Sequence, residues 1–330
     1  MYLDPNIFNN TNYKLALIFL YAAVTTFFAI PYVMKKCRQH GYIDNDMHKA
    51  KKPLLPTLGG AAILGGILVA LALSELLITN HAFLGSLFIF YFVVMIYAMY
   101  GLLDDIFHFK QRYSKIAVLL VLSLPVGTIV TGTTVNIFGG TIDLGLFYTL
   151  VIVPIYIMVV ANLINIHAGF NGLGPGTTLV MLIAAGIKSY MDYGTTYLIY
   201  LMPILGSLLV FFFFNMYPAK LFDGNIGAFL MGSALGAFLI INHYEIFGIF
   251  ILIPHIITFI LDFYVLGIKG VKDQEWPPIR KDKLMIPHRS MRFKSFKNLL
   301  CTLIPMTEKQ AAWTLIGITA IFCVIGVMLF

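Results

Sequence analysis

Phe83-Leu-Gly-Ser-Leu-Phe-Ile-Phe-Tyr-Phe-Val-Val-Met-Ile-Tyr-Ala-Met-Tyr-Gly-Leu-Leu-Asp104-Asp105 is the stretch that decides the fold. Residues 83–103 carry no charge, and their length suffices for one crossing of a bilayer, which takes about 20 apolar residues. The run then stops at two adjacent carboxylates. Composition extends the same reading to the whole chain. Of its 330 residues 59% are hydrophobic, 15% aromatic and 11% charged, where an ordinary soluble domain carries roughly 25% charged residues. A soluble core does not need this much Phe, Ile, Leu and Val, so the bilayer is the expected solvent. Cys37, Cys301 and Cys323 are too few and too scattered for a disulfide framework or a zinc site. A net charge of +7 invites a nucleic-acid reading, but the basic residues follow membrane topology instead, and no nucleic-acid partner is expected.

The length rule gives an all-α polytopic membrane protein with ten transmembrane helices, near 15–34, 58–79, 83–103, 115–134, 145–166, 174–190, 195–215, 225–242, 244–267 and 311–330. The first is too long, and lacks the cleavage site, for a removed signal peptide. Loops after the odd-numbered helices hold 20 of the 22 Lys and Arg, with only Lys14 and Lys188 on the other side. Cytoplasmic loops retain positive charge, which predicts a multi-pass cell-membrane protein with both termini outside. Thr134 to Asp143 alternates around Gly139-Gly140 and predicts a small β-hairpin on the outer face. The basic loop 268–310, with Trp276-Pro277-Pro278, is expected to lie along anionic headgroups of membrane lipids. No internal repeat is evident, and residues 1–330 read as one membrane domain, compatible with a homodimer.

Polar residues gather at the predicted cytoplasmic ends: Asp104-Asp105, Asn162 to Gly172, Phe222-Asp223-Gly224-Asn225 and Pro287-His288-Arg289. A transporter places ionisable groups near the midplane. One interface rich in polar groups suits chemistry between a water-soluble substrate and a lipid headgroup. Asp104 and Asp105 end a helix whose dipole disfavours anions, so something cationic should compensate. Mg²⁺ fits, because it takes one or two carboxylates and leaves positions for substrate phosphates; the other reading is two solvated acids pairing with Lys110, Arg112 or Lys115. Asn162 and Asn165 share a helix face, ahead of a turn with Gly169, Gly172, Gly174 and Gly176. Such amides and backbone can serve a metal and a nucleotide, or simply cap the helix. His167 reads as a packed interfacial histidine rather than a catalyst, and Asn225 as a cap of helix 8. His288 and Arg289 suit either headgroup attraction or the grip of a pyrophosphate. Asp262 reads as a snorkelling or hydrogen-bonded acid, and His81 and His243 carry no functional weight.

These residues resemble the motifs of the polyprenyl-phosphate N-acetylhexosamine-1-phosphate transferase superfamily, glycosyltransferase family 4. Pro56-Thr57-Leu58-Gly59-Gly60 is similar to its early Pro-Thr-x-Gly-Gly segment, and Gly101 to Asp105 to its paired-aspartate motif. Asn162-x-x-Asn165-x-x-Ala168-Gly169-Phe170-Asn171-Gly172-Leu173 resembles the third motif of archaeal and eukaryotic dolichyl-phosphate GlcNAc-1-phosphate transferases. The bacterial branch has Asp at the positions of Ala168 and Asn171. Met285-Ile286-Pro287-His288 resembles the histidine loop of phospho-N-acetylmuramoyl-pentapeptide transferases, shortened to His288-Arg289. Two departures stand out: Asn225 where the family has a metal-binding Asp, for which Asp223 is a candidate substitute, and Gly174 where the GlcNAc-type motif has Glu.

The resemblance implies transfer of a sugar-1-phosphate, GlcNAc-1-phosphate foremost, from a UDP-amino sugar to a polyprenyl or dolichyl phosphate with release of UMP. It implies Mg²⁺, with Mn²⁺ as an alternative, near Asn165, Asn225 and Asp223; Asp104 or Asp105 near the lipid phosphate; Asn162, Asn171, Gly172 and Phe222 on the substrate side, with Asn171 and Phe222 near uridine; and Lys115, His288 and Arg289 near the pyrophosphate or sugar. A pseudomurein- or peptidoglycan-type precursor transferase, a silent lipid-phosphate-binding paralogue and a transporter are the competing expectations.

Overall fold

The structure is a computed structural model that describes residues 10–108, 112–137, 140–271 and 283–330; the side chains of residues 112–116, 136 and 137 lie outside that description. Helix α1 (Thr11–His40) is followed by the antiparallel pair β1 (Ile43–Asn45) and β2 (Leu54–Pro56), in register Ile43↔Pro56. Then come α2 (Gly60–Leu77), α3 (His81–Phe107) and α4 (Arg112–Ser123), which tightens into a 3₁₀ turn over Leu124–Thr128. Strands β3 (Thr134–Ile137) and β4 (Gly140–Asp143), within the segment read as a hairpin, pair antiparallel in register Thr134↔Asp143. A π turn at Tyr148–Ile152 leads into α5 (Val153–His167), followed by α6 (Leu173–Tyr193), α7 (Met202–Asn215), α8 (Gly224–Ile241), α9 (Glu245–Ile251) and α10 (Ile253–Asp262). After the short α11 (Phe296–Leu303), α12 (Glu308–Leu329) ends the described fold.

All ten expected segments contain helix, but they are not alike. Among the described residues six helical stretches are long and apolar enough to cross a membrane: α1, α2, α3, α5 with its π turn, α8 and α12. A seventh is formed if α9 and the stretch from Ile253 to Ile268 count together; they meet at a 66° bend, beside Pro254, which cannot donate a backbone hydrogen bond. The remaining three, α4, α6 and α7, are shorter or more polar. In α6 the polarity is internalised: Thr177 and Thr178 are buried and donate to Leu173 O and Gly174 O at 2.9 Å.

Helix α8 is the centre of the bundle. Every residue from Ile226 to Ile241 is buried, and α3 and α5 pack along it most extensively, with α2 and α6 completing the surround. Close approach explains the small residues at these crossings. A Cβ on Gly101 would lie 2.4 Å from Asn225 O, so only glycine lets the end of α3 reach the start of α8. The loop 268–310 folds back in part: α11 buries Asn298, Leu300 and Cys301, packs against α10 and α12, and leaves Leu303 exposed. Trp276, Pro277 and Pro278 lie outside the described residues.

Candidate active site

The segment before α8 is zipped to the segment before α2. Phe222 N–H donates to Pro56 O at 2.8 Å, and Gly59 N–H and Gly60 N–H donate to Phe222 O and Asp223 O at 2.9 Å. This is the structural use of Pro56-Thr57-Leu58-Gly59-Gly60. Gly224 then takes φ +69°, and a Cβ there would sit 2.4 Å from Thr57 O, so the turn that starts α8 requires glycine.

Where α8 starts, its backbone N–H groups meet Asp105. Asp105 Oδ1 accepts from Asn225 N–H at 2.9 Å and Oδ2 from Ile226 N–H at 3.1 Å. The positive partner that the end of α3 needs is therefore the N-terminus of α8, with its partial positive charge and unsatisfied donors. Asp104 is buried and accepts from Asn225 Nδ2 at 3.2 Å, while Asn225 Oδ1 accepts from Asn165 Nδ2 at 3.1 Å. One line of hydrogen bonds thus runs from α5 through α8 to α3. The capping expectation for Asn225 does not hold, since its side chain joins that line and Asp105 caps the helix.

Asp223 sits beside this line. The residue as a whole is half-buried, yet its Oδ2 is shut away from solvent with no hydrogen-bond partner. Burial, with the nearby Asp105 carboxylate adding to it, pushes the Asp223 carboxyl up to about 7. A cavity of about 410 Å³ opens here, lined by Asp105, Asn165, Phe222, Asp223 and Asn225 together with Ala168, Gly169, Thr57 and residues 44–48.

Asn162, Asn171, Gly172, His288 and Arg289 do not line that cavity. Asn162 Nδ2 bonds Met158 O of its own helix at 2.8 Å. Asn171 and Gly172 are buried next to the cavity-lining turn, with Gly172 N–H donating to Asn215 Oδ1 at 3.1 Å. His288 and Arg289 are exposed and do not line the cavity; His288 Nδ1 pairs with Ser290 Oγ at 2.7 Å. The side chain of Lys115 lies outside the described residues. His167 is buried against His255, ring centroids 4.0 Å apart, and bonds Thr258 Oγ1 at 2.8 Å, which is the packed reading.

Sequence reasoning missed the β1–β2 connection. Asp44, Asp46 and His48 line the cavity, and a cluster of acids and a histidine within a basic loop was the available signal. Burial, with Lys297 and Lys49 adding to it, pushes His48 down to about 3, so its ring is neutral. Lys297, from the basic loop, reaches the glycine turn, donating from Nζ to Ala168 O at 2.5 Å.

Among the described residues no three His, Cys, Asp or Glu side chains gather as a metal centre. Mg²⁺ asks for less, one or two carboxylates with water and phosphate oxygens completing the shell. The buried, unpartnered Asp223 Oδ2, with the carboxylates of Asp105, Asp44 and Asp46 on the same cavity, fits that ion.

Residues 87–243, from α3 to just past α8, match the model of glycosyl transferase family 4. The chain is 31% identical over 313 residues to a Saccharolobus solfataricus protein provisionally named UDP-N-acetylglucosamine–dolichyl-phosphate N-acetylglucosaminephosphotransferase, covering 90% of this chain and 91% of that one. A Sulfolobus acidocaldarius protein with the same provisional name is 28% identical, over 92% and 93% of the two chains. A phospho-N-acetylmuramoyl-pentapeptide-transferase of Streptococcus agalactiae is 33% identical, over 66% and 69%. Asp105 of α3 and Asn165 and Asn225 of α5 and α8, which meet at the cavity, and Asp104 behind Asn225 all fall within the family match, and the chain belongs to glycosyl transferase family 4.

Proposed function

We propose that this chain transfers an N-acetylhexosamine-1-phosphate, GlcNAc-1-phosphate foremost, from its UDP-sugar to a polyprenyl or dolichyl phosphate and releases UMP. The observation that carries the reading is the convergence of Asp105, Asn165, Asp223 and Asn225, from three helices and one turn, at a single cavity at one end of the bundle, with Asp104 hydrogen-bonded behind Asn225. The names of the matched relatives supply the substrate classes.

In this reaction a lipid phosphate oxygen bonds to the sugar-side phosphorus, the bond to the bridging oxygen breaks, and UMP leaves with that electron pair. A phosphate monoester is largely dianionic near neutrality, its second pKa being about 6, so the attack needs no strong base. What remains for the protein is positioning and charge compensation. Asp105, committed to the N-terminus of α8, fixes the spacing of α3 and α8. Asn225 orients Asp104, and Asn165 orients Asn225. Mg²⁺, or Mn²⁺, held by Asp223 with Asn165, Asn225 or Asp104 would offset the charge developing on the pyrophosphate. The distribution of Lys and Arg supports ten crossings with both termini outside and the cavity on the cytoplasmic face.

Incubating the purified protein with Mg²⁺, polyprenyl phosphate and a panel of UDP-amino sugars tests the reading. UMP and a lipid heavier by the sugar phosphate are expected, with UDP-GlcNAc the best donor. A pentapeptide-bearing muramoyl donor used in preference would move the chain to the cell-wall precursor branch, and no UMP from any donor would sink the assignment.

A further inference from the structure

Lys49 is not part of the cavity lining, yet it joins segments that build the cavity walls. Its Nζ contacts Asn171 Oδ1 at 2.8 Å, Asp46 Oδ2 at 3.1 Å and Glu308 Oε2. Three acceptors use all three donors of the ammonium. The charge also faces the ring of Tyr217, 4.3 Å from its centroid. Asp46 and Glu308 are nearly inaccessible, at 2% each, and Lys49 is at 16%. Four pieces of chain meet at this one side chain: the β1–β2 connection, the glycine turn, the loop after α7 and the start of α12.

Asn171 is held at both ends by this arrangement. Its backbone N–H donates to Glu308 Oε1 at 2.9 Å, and its Oδ1 accepts from Lys49 and from Ala219 N–H at 3.0 Å. A carboxamide whose oxygen faces two donors cannot flip without losing both. It therefore keeps its Nδ2 group fixed as a donor, and that group is buried with no partner. A buried donor of this kind is satisfied by a ligand's carbonyl oxygen, such as those of a pyrimidine base.

We propose that Lys49, clamped between Glu308 and Asp46, is a positioning residue for the donor nucleotide. It holds Asn171 and the turn through Gly172 in the arrangement that receives the uridine end of the UDP-sugar. This rests on the donor assigned under the proposed function. Replacing the ammonium by an apolar group leaves Asp46 and Glu308 facing each other without compensation, and the turn loses its tether. Arg is an imperfect substitute, because a planar guanidinium cannot point donors in three directions from one atom.

The test measures binding of UMP and of polyprenyl phosphate, by titration calorimetry on the purified full chain, for wild type, Lys49→Met, Lys49→Arg and Glu308→Gln. Loss of a charge-assisted contact to Asn171 should weaken UMP about tenfold in Lys49→Met and Glu308→Gln, with lipid-phosphate affinity unchanged and Lys49→Arg between. In turnover, KM for UDP-GlcNAc should rise more than kcat falls. Glu308→Gln keeps the side-chain shape, so it carries the test if Lys49→Met does not fold. Unchanged UMP affinity in the variants, or equal weakening of both ligands, overturns the positioning role alone. A wild-type protein that binds no UMP overturns the donor assignment itself, and this inference with it.

Discussion

Asp105 closes the N-terminus of α8 from another helix, with its Oδ1 2.9 Å from the backbone nitrogen of Asn225. Two helix ends that would each be costly alone solve each other: α3 ends in an anion its own dipole opposes, and α8 begins with unpaired donors. Asp104, one residue earlier, points to the Asn225 side chain instead. Adjacent aspartates thus have separable jobs, and Ala substitutions should separate them. Asp105→Ala should cost about 1 kcal/mol of stability, the usual loss for a helix cap, and lower UMP release as well. Asp104→Ala should lower UMP release by about 10²-fold, the scale for a lost electrostatic partner, with a smaller change in Tm. Equal Tm losses in the two variants would refute this division.

Gly101 supports the same junction sterically. In Gly101→Ala the new Cβ would meet Asn225 O at 2.4 Å, and neither backbone can yield without moving a helix. Overpacking of this kind typically costs about 1–3 kcal/mol. Thermal unfolding should show that loss together with falling turnover; wild-type Tm and activity would mean that α3 and α8 do not meet as described.

His243, between α8 and α9, ties the base of the hairpin to the bundle. Its Nε2 lies 2.7 Å from Thr131 O, and its Nδ1 3.6 Å from Glu245 Oε1. The nearby Glu245 carboxylate, opposed by partial burial, raises its pKa. A raised folded-state pKa means the protonated form is favoured on folding. The contribution is complete below the unfolded value of about 6.5 and is lost as pH rises through the folded value above it. Tm in detergent should therefore fall over that interval by more in wild type than in His243→Gln. Parallel pH profiles would remove His243 from the linkage.

Sidedness can be read with thiols, because the three native cysteines are buried. Lys51 and Thr141 are exposed, one between β1 and β2, the other on β4. With the basic loops inside, Thr141→Cys should react with an impermeant maleimide in intact cells and Lys51→Cys only after permeabilisation. Labelling of both from the same side would break the proposed topology.

What the sequence revealed and what it hid divide along chain separation. Apolar runs such as 83–103 announce helices locally, and Asn162-x-x-Asn165 or Asp104-Asp105 announces polar groups at their ends. The partners of those groups are remote: Asp105 meets Asn225 across 120 residues, and Lys49 meets Glu308 across 259. No periodicity encodes such meetings. His288 and Arg289 stood out by local motif, yet α11 brings Lys297 to the glycine turn, a placement set by how α11 packs on α10 and α12. The polar helix α6 was legible as a helix, while the internal bonding of its threonines was not.

Asn225 stands where the motif that the sequence resembles has Asp, and the hydrogen bonds around it make the consequence specific. Asn225 offers Nδ2 to Asp104 at 3.2 Å and takes a bond from Asn165 on Oδ1. In Asn225→Asp a carboxylate oxygen replaces that donor, so two anions would face each other until a cation intervenes. Without Mg²⁺ the variant should unfold at lower temperature than wild type, and added Mg²⁺ should raise its Tm by more. Half-maximal UMP release should then need less Mg²⁺, since a charged ligand replaces a neutral one. Asp223→Asn should act in the opposite direction, because it neutralises a carboxylate with an oxygen left buried without a partner. Thermal shift and UMP release measured across a Mg²⁺ series check both variants. A metal dependence identical to wild type in both would exclude residues 223–225 from the metal site and leave Asn225 as a link between α3 and α5.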